Sequence, residues 1–358
     1  MKICIIGPGK KFLSGITYYT ISLANEFSKT EEVSVVTLRN LLPKFLFPGS
    51  KRVGNNISSL DFNKNIKVFD GLDWYWFPSA FKIPRALKDN DVIILQWWTC
   101  AVAHTYLLVK FLNLFYRKKI IFEMHEVLDV MEAKMSLLNI YSKIMGKLLF
   151  TKKNKYVVHS ESDKKLILKN YSISSENVFV VPHGSYNHYV KGESQKDSSI
   201  VNVLFFGLLR PYKGVDYLIE AFNKIKDKKY HLTIAGESWE GYSLKPMAND
   251  RITIINSYIS DEEVNLLFQK ADVLVLPYIR ASQSGPAHIA IAYGIPIIAS
   301  SVGGLKESMK SYKGATFVKP KDVLGLKEAI LSVKKGIVYD NPHPWSETVK
   351  KYMKVLSE

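Results

Sequence analysis

Short runs of aliphatic and β-branched residues recur along the chain, separated by stretches in which apolar residues return every three or four positions. In the first half the runs are Ile3–Ile6, Val33–Leu38, Asp91–Gln96, Lys119–His125, Lys155–Ser160 and Asn177–Pro182. Runs this short and this continuously apolar predict strands covered on both faces, hence a parallel sheet between helical layers. From Gly15 to Phe27 the apolar residues Ile16, Tyr19, Leu23 and Phe27 keep helical spacing and predict a helix. A polar, linker-like stretch, Glu193–Ser199, interrupts the pattern, which then restarts. Val201–Phe206, His231–Ala235, Ile252–Ile255, Val273–Leu276 and Ile295–Ala299 predict a second set of strands, with helices at Val215–Ile225 and Ala287–Tyr293. Trp345 to Leu356 predicts a closing helix. The whole pattern predicts two doubly wound α/β domains, which suits a chain of 358 residues.

Composition leaves this picture intact: 47% hydrophobic and 23% charged residues are globular proportions. Two cysteines, Cys4 and Cys100, make no disulfide framework or metal cluster, which fits a reducing compartment. The apolar start, Met1 to Gly7, is too short for a signal sequence, and the helical candidate Ala101–Phe115 carries His104 and Lys110 and falls short of a membrane span. A cytoplasmic location is therefore expected.

Charge adds more. The net charge is +16, and residues 1–190 hold 26 Lys+Arg against 15 Asp+Glu, so +11 of it lies there. An anionic membrane surface or phosphate-bearing ligands would attract such a half, and a solvated surface without a partner explains it too. No helix-turn-helix, zinc-finger or RNP pattern supports nucleic acid as a partner. Asn40–Asn56 sets Phe45, Leu46 and Phe47 beside Lys44, Lys51 and Arg52; it reads as a membrane-facing or acceptor loop, or as an ordinary long loop.

In open parallel sheets, ligands sit beyond the carboxyl ends of the strands. After the first strand come Gly7-Pro8-Gly9 and then Ser14-Gly15 at a helix start, where backbone approaches a phosphate or sugar; a plain chain reversal uses the same residues. This is no complete G-x-G-x-x-G fingerprint, which disfavours NAD. His125-Glu126 at the end of the fourth strand suits a sugar contact or a proton relay, and also a core histidine. Gly207 to Gly214, with Arg210, Pro211 and Lys213, combines a fork donor, a point charge and a helix start, as a diphosphate requires. Gln283-Ser284-Gly285-Pro286 and Val302-Gly303-Gly304 supply further small residues at helix starts on the same edge.

These residues, in this order, resemble glycosyltransferase family 4, whose fold is GT-B: two Rossmann-like domains facing a central cleft. The resemblance runs through the Ser14-Gly15 loop, Phe122-Glu123-Met124-His125-Glu126 and Val180-Val181-Pro182-His183-Gly184. It continues through Phe206-Gly207 to Lys213-Gly214, Ile259 to Val264, Ala271 to Tyr278, Gly294-Ile295-Pro296, Val302-Gly303-Gly304 and the Trp345 helix. It implies an acceptor-binding domain over 1–185, a nucleotide-sugar-binding domain over 186–343, and a last helix, 344–358, returning to the first domain. Gly15 would lie near the donor phosphates, with His125 near the transferred sugar and Glu126 as an acceptor or sugar contact. Arg210 and Lys213 would grip the diphosphate, and Tyr258, Ile259 and Ser260 would contact the base by backbone. Gln283, Ser284, Gly285 and Pro286 would face sugar and phosphates. Gly207 and Glu237, just past their strands, complete the expected donor-binding set. Three positions depart from the family pattern. The acids usual at each end of a nine-residue stretch are Ala281 and Ile289, and the usual arginine after the strand's glycine is Leu208, with Arg210 two residues on.

The function so implied is retaining, metal-independent transfer of a hexose-type sugar from a nucleoside-diphosphate sugar to a glycan or lipid-linked acceptor. Asp89-Asn90-Asp91 has the D-x-D spacing of metal-using transferases but precedes its strand, so it reads as a turn. An epimerase on the same fold, or a sugar- or nucleotide-binding subunit without activity, are the competing readings.

Overall fold

The computed structural model describes all residues except 11–14, 41–59, 74–76, 128–135, 191–198, 240–241, 245–248 and 282. All but the first residue of the Asn40–Asn56 stretch thus lies outside the described residues. The chain divides into two units, Met1–Gly184 with Trp345–Glu358, and Ser185–Pro344.

The first unit runs β1 (Lys2–Pro8), α1 (Gly15–Phe27), β2 (Glu32–Asn40), β3 (Lys67–Asp73), α2 (Lys82–Asp89) and β4 (Val92–Trp97). It goes on through α3 (Ala103–Tyr116), β5 (Lys119–Met124), α4 (Ser136–Leu149), β6 (Lys155–Val158), α5 (Glu161–Asn170) and β7 (Val178–Val180). All pairs are parallel, in the order β3-β2-β1-β4-β5-β6-β7. The pleat divides these strands, β3 apart, between two cores: Cys4 and Ile6 of β1 face one, Ile3 and Ile5 the other. Burial on both faces explains why these strands read as unbroken apolar runs.

The second unit runs β8 (Val201–Phe206), α6 (Val215–Asn223), β9 (Tyr230–Ala235), β10 (Ile252–Ile255), α7 (Asp261–Lys270) and β11 (Val273–Leu276). There follow α8 (Gly285–Tyr293), β12 (Ile297–Ser300), α9 (Gly303–Ser308), β13 (Ala315–Val318) and α10 (Val323–Leu331). Its sheet is also parallel, in the order β10-β9-β8-β11-β12-β13. Local chemistry sets the ends of its helices. Ser260 and Glu263 form a reciprocal capping box on α7, Ser284 caps α8, and Gly294 stops α8 in the left-handed conformation at φ +67°.

The closing helix, α11 (Trp345–Ser357), belongs to the first unit and packs Trp345, Val349, Tyr352, Val355 and Leu356 into the core that holds Tyr19 and Phe27 of α1. Strands β3 and β13, which the hydrophobic pattern did not predict, are both sheet edges. Val68 of β3 is exposed, and no β13 residue is fully buried. Each unit has the doubly wound form that GT-B implies.

Candidate active site

Strand order reverses between β8 and β11 in the second sheet, and the loops that follow these two strands hold most of the candidate donor residues. Gly207 turns the chain at φ +128°, and Gly236, after β9, stands at φ +150°. A Cβ on Gly236 would lie 2.0 Å from the Gly207 carbonyl oxygen, so only glycine admits this contact. The two loops continue the ladder. Gly207 N–H donates to Ala235 O (3.0 Å), Leu209 N–H to Glu237 O (2.9 Å) and Trp239 N–H to Leu209 O (3.0 Å). That pairing sets the Arg210 guanidinium 4.9 Å from the Trp239 ring centroid, and the Trp239 indole N–H donates to the Glu237 carboxylate at 3.5 Å.

Pro211–Lys213 makes one tight 3₁₀ turn that ends at Gly214, φ +67°. A Cβ there would meet the Pro277 carbonyl oxygen at 2.0 Å, which packs this turn onto the loop after β11. Ile279 N–H donates to Tyr212 O at 2.8 Å and locks the two loops together. Lys213 Nζ consequently lies 3.8 Å from the Tyr278 ring centroid, and the Tyr278 hydroxyl hydrogen-bonds Ser284 Oγ at 3.2 Å. Burial pushes the Tyr278 hydroxyl pKa up, which keeps it neutral. Ser284 in turn caps α8, whose first turn holds Gly285 and Pro286. Pro286 closes on the first loop, with its Cγ 3.5 Å from where a Gly207 Cβ would be.

Both polar atoms of the Gln283 amide are buried without a hydrogen-bond partner among the described residues. Such a group costs about 1–3 kcal/mol until something bonds it. Cations held on aromatic faces, glycine-lined backbone and a capped helix start together suit a pyrophosphate. Ser260 behaves differently from the expected base contact. Its N–H donates to the Glu263 carboxylate at 2.7 Å and its carbonyl accepts from Val264, so its backbone is committed to the α7 cap. These hydrogen bonds hold the Glu263 carboxyl below its ordinary range. Two residues escaped the sequence reading: Trp239, and Arg280, whose guanidinium lies 5.3 Å from the Tyr212 ring. Arg280 had one available signal, its place in the loop after β11 at the strand-order switch.

In the first unit, Gly15 opens α1, while the preceding residues 11–14 lie outside the described set. His125 follows β5 and joins a buried polar network. Glu123, two residues earlier on the same face of the strand, is fully buried and accepts from the Tyr19 hydroxyl (2.5 Å) and the Gln96 amide (2.9 Å). Gln96 also accepts from Thr20 Oγ1 at 2.5 Å. Its place beside Glu123 follows from the β4–β5 register. Three histidines from the ends of consecutive strands surround Tyr19: His125, His159 and His183, with ring centroids 4.6, 5.3 and 4.5 Å away.

The Val181 carbonyl only accepts, so His159 Nδ1 carries a proton in their 3.0 Å bond. His159 Nε2 lies 3.3 Å from His125 Nδ1. His125 Nε2 lies 3.8 Å from Glu123 Oε2 and makes no hydrogen bond among the described residues. Burial, and secondarily His159, push the His125 pKa well below the usual histidine value, so the ring is neutral at pH 7. The carboxylate that faces His125 is thus Glu123, and Glu126 follows the strand, half-buried. Glu123, His125 and His159 bring three ligand-type atoms within 4.8 Å of one another. Their mutual bonds, and those to Tyr19 and Gln96, already engage the carboxylate and His159. The Asp89-Asn90-Asp91 turn lies at the amino edge of this sheet, where Asp91 Oδ2 accepts the Lys2 N–H at 2.8 Å.

Residues 201–335 match the family described as glycosyl transferases group 1. The matched stretch lies within the second unit. Among relatives, the chain is 29% identical over 171 residues to an uncharacterised glycosyltransferase of Methanocaldococcus jannaschii, an alignment covering 43% of this chain and 44% of the relative. It is 27% identical over 122 residues to the GDP-mannose:glycolipid 4-beta-D-mannosyltransferase of Xanthomonas campestris, covering 33% and 35%. The alignments thus span less than half of these relatives' length. In fold, the chain is similar to Anabaena HepE in complex with UDP and glucose, at a TM-score of 0.60 and 13% identity, over 100% of this chain and 95% of the other. Within the matched stretch, Ile289 is buried, and the Ala281 carbonyl oxygen lies 2.2 Å from the Cβ position of Gly303, itself at φ +45°. Gln283 and Ser284 supply polar groups in this loop.

Proposed function

We propose that the chain is a retaining glycosyltransferase of family 4. In this reading it moves a hexose-type sugar from a nucleoside-diphosphate sugar to a glycan or lipid-linked acceptor, without a metal. The observation that carries the reading is the seating of Lys213 on Tyr278 and Arg210 on Trp239 beside the capped start of α8. Cleaving a glycosyl phosphate builds negative charge on the leaving diphosphate. Two cations and a helix N-terminus, already fixed before reaction, stabilise that charge without reorganisation. They supply the charge that a divalent ion supplies elsewhere.

Gly207, Gly285 and Pro286 line the approach to the phosphates, and Tyr258 and Ile259 offer backbone to the base. Glu237 and the Gln283 amide meet hydroxyls of the donor, and Ser284 keeps α8 aimed. In the first unit, His125 Nε2 meets a hydroxyl of the transferred sugar, Gly15 approaches the phosphates and Glu126 contacts sugar or acceptor. The mannosyltransferase name and the UDP and glucose complex among similar proteins support a hexose and a nucleoside diphosphate. The glycolipid in that name supports a lipid-linked acceptor. Attachment to the cytoplasmic face of an anionic membrane belongs to the same reading, supported by the +11 balance in residues 1–190. Among the described residues no helix is long and apolar enough to cross a membrane.

The test is transfer by the purified protein from a panel of nucleotide sugars, with EDTA present and the product anomer read by NMR. Transfer with the donor's anomeric configuration is expected. An inverted product, or activity lost to EDTA and restored by a divalent ion, contradicts the reading.

A further inference from the structure

Helices α3 and α4 lie side by side in the first unit, and their direction is fixed by two contacts. His104 Nδ1 meets the Tyr141 hydroxyl at 3.4 Å, and Lys110 Nζ donates to the carbonyls of Leu148 and Leu149 at 3.1 and 2.6 Å. The helices therefore run parallel, with their C-terminal ends together. Their inner faces enter the core through Tyr106, Val109, Tyr141 and Met145. Their outer faces are apolar as well. On α3, Phe111, Leu114 and Phe115 are 58%, 69% and 74% exposed, and on α4, Ile140, Ile144 and Leu148 are 56%, 53% and 54% exposed. Phe111 and Phe115 hold one another edge to face at 6.2 Å, and the α4 residues repeat every fourth position along one stripe.

The charged residues of these two helices share one sign. Neither helix contains an Asp or Glu. Lys143 and Lys147 stand exposed beside the α4 stripe, and Arg117, Lys152 and Lys153 are exposed just beyond the paired C-terminal ends. Six exposed large apolar side chains on adjacent helices exceed the scattered surface hydrophobes of a solvated face. A second copy of this chain would bring like charges together around the same ridge. A bilayer with anionic headgroups meets both needs, since acyl chains receive the apolar stripe and phosphates receive the cations.

We propose that the outer face of α3 and α4 is a docking surface for an anionic lipid bilayer, lying in the interface plane. This rests on the membrane-attachment part of the function proposed above and not on the transfer reaction. The experiment is co-sedimentation of the full chain with vesicles of phosphatidylcholine alone and of phosphatidylcholine mixed with phosphatidylglycerol, without any donor. Binding to the mixed vesicles that weakens as salt rises is expected, with little binding to phosphatidylcholine. Lys143→Glu with Lys147→Glu should weaken that binding roughly a hundredfold. Leu114→Ser with Phe115→Ser should weaken it at low and high salt alike. Unchanged melting and unchanged uridine diphosphate binding show that each variant is folded.

Three results would overturn the assignment. One is no binding of the wild type to mixed vesicles, and another is equal binding by the charge-reversed variant. The third is a lipid-free dimer that Ile144→Glu separates. A chain that transfers sugar yet ignores anionic vesicles sinks this proposal alone, and one that binds vesicles without transferring sugar leaves it standing.

Discussion

The two units share a strand order, yet the carboxyl ends of their sheets are built in opposite ways. In the first, side chains fill the ends: Glu123, Gln96, Tyr19 and three histidines form a buried network that Trp345 and Tyr352 cover. In the second, backbone fills the ends. Gly207, Gly214 and Gly236 press loops together, and the cations sit on aromatic faces above them. The lesson is that topology sets where a site sits, while the residue types after each strand set whether it is a rigid polar plug or a phosphate cradle.

The difference is broken most severely in the first unit. Glu123→Ala leaves the Tyr19 hydroxyl and the Gln96 amide buried without their acceptor and should cost about 3 kcal/mol or more by chemical denaturation. Glu123→Gln, which still accepts from Tyr19, should cost less. In the second unit the larger effect falls on rate. Lys213→Ala or Arg210→Ala should lower turnover about 10²–10³-fold with little change in melting. Gly214→Ala tests the backbone side of the cradle. Its φ of +67° and the Pro277 carbonyl make a loss of about 2 kcal/mol the expected result.

The smallest effect is a pH dependence. His125 is neutral in the folded chain because burial depresses its pKa, whereas the unfolded chain takes up a proton near the ordinary value of 6.5. The unfolded state therefore binds more protons below that pH, and stability falls as pH drops through it. His125→Asn removes this term. The stability difference between wild type and variant should shift by at most about 1.4 kcal/mol per pH unit below 6.5, against the wild type.

The sequence exposed the second unit more readily than the first, for physical reasons. β8, β10 and β11 are apolar runs bounded by loops, so their limits follow from the pattern, and the glycine and cation cluster after Phe206 is contiguous in the chain. The network around Tyr19 is not contiguous. It joins α1, β4, β5, β6 and α11, and its only local trace is the two-residue spacing of Glu123 and His125, which places both on one face of a strand. Glu126, adjacent in sequence, drew attention instead. The edge strands β3 and β13 escaped because one of their sides is solvated and their pattern is mixed. Ser260 shows the opposite limit: a residue plausible for a ligand is consumed by its own capping box, which the S-x-x-E spacing of Ser260 and Glu263 already encoded. Trp239 and Arg280 matter through the rings and cations they meet across loops, which spacing alone does not reveal.

Titration calorimetry with uridine and guanosine diphosphates and their monophosphates, on the wild type and on Arg210→Ala and Lys213→Ala, tests the phosphate cradle most directly. The wild type should bind the cognate diphosphate more tightly than its monophosphate, and both variants should lose most of that preference. A preference that persists unchanged in both variants would contradict the account.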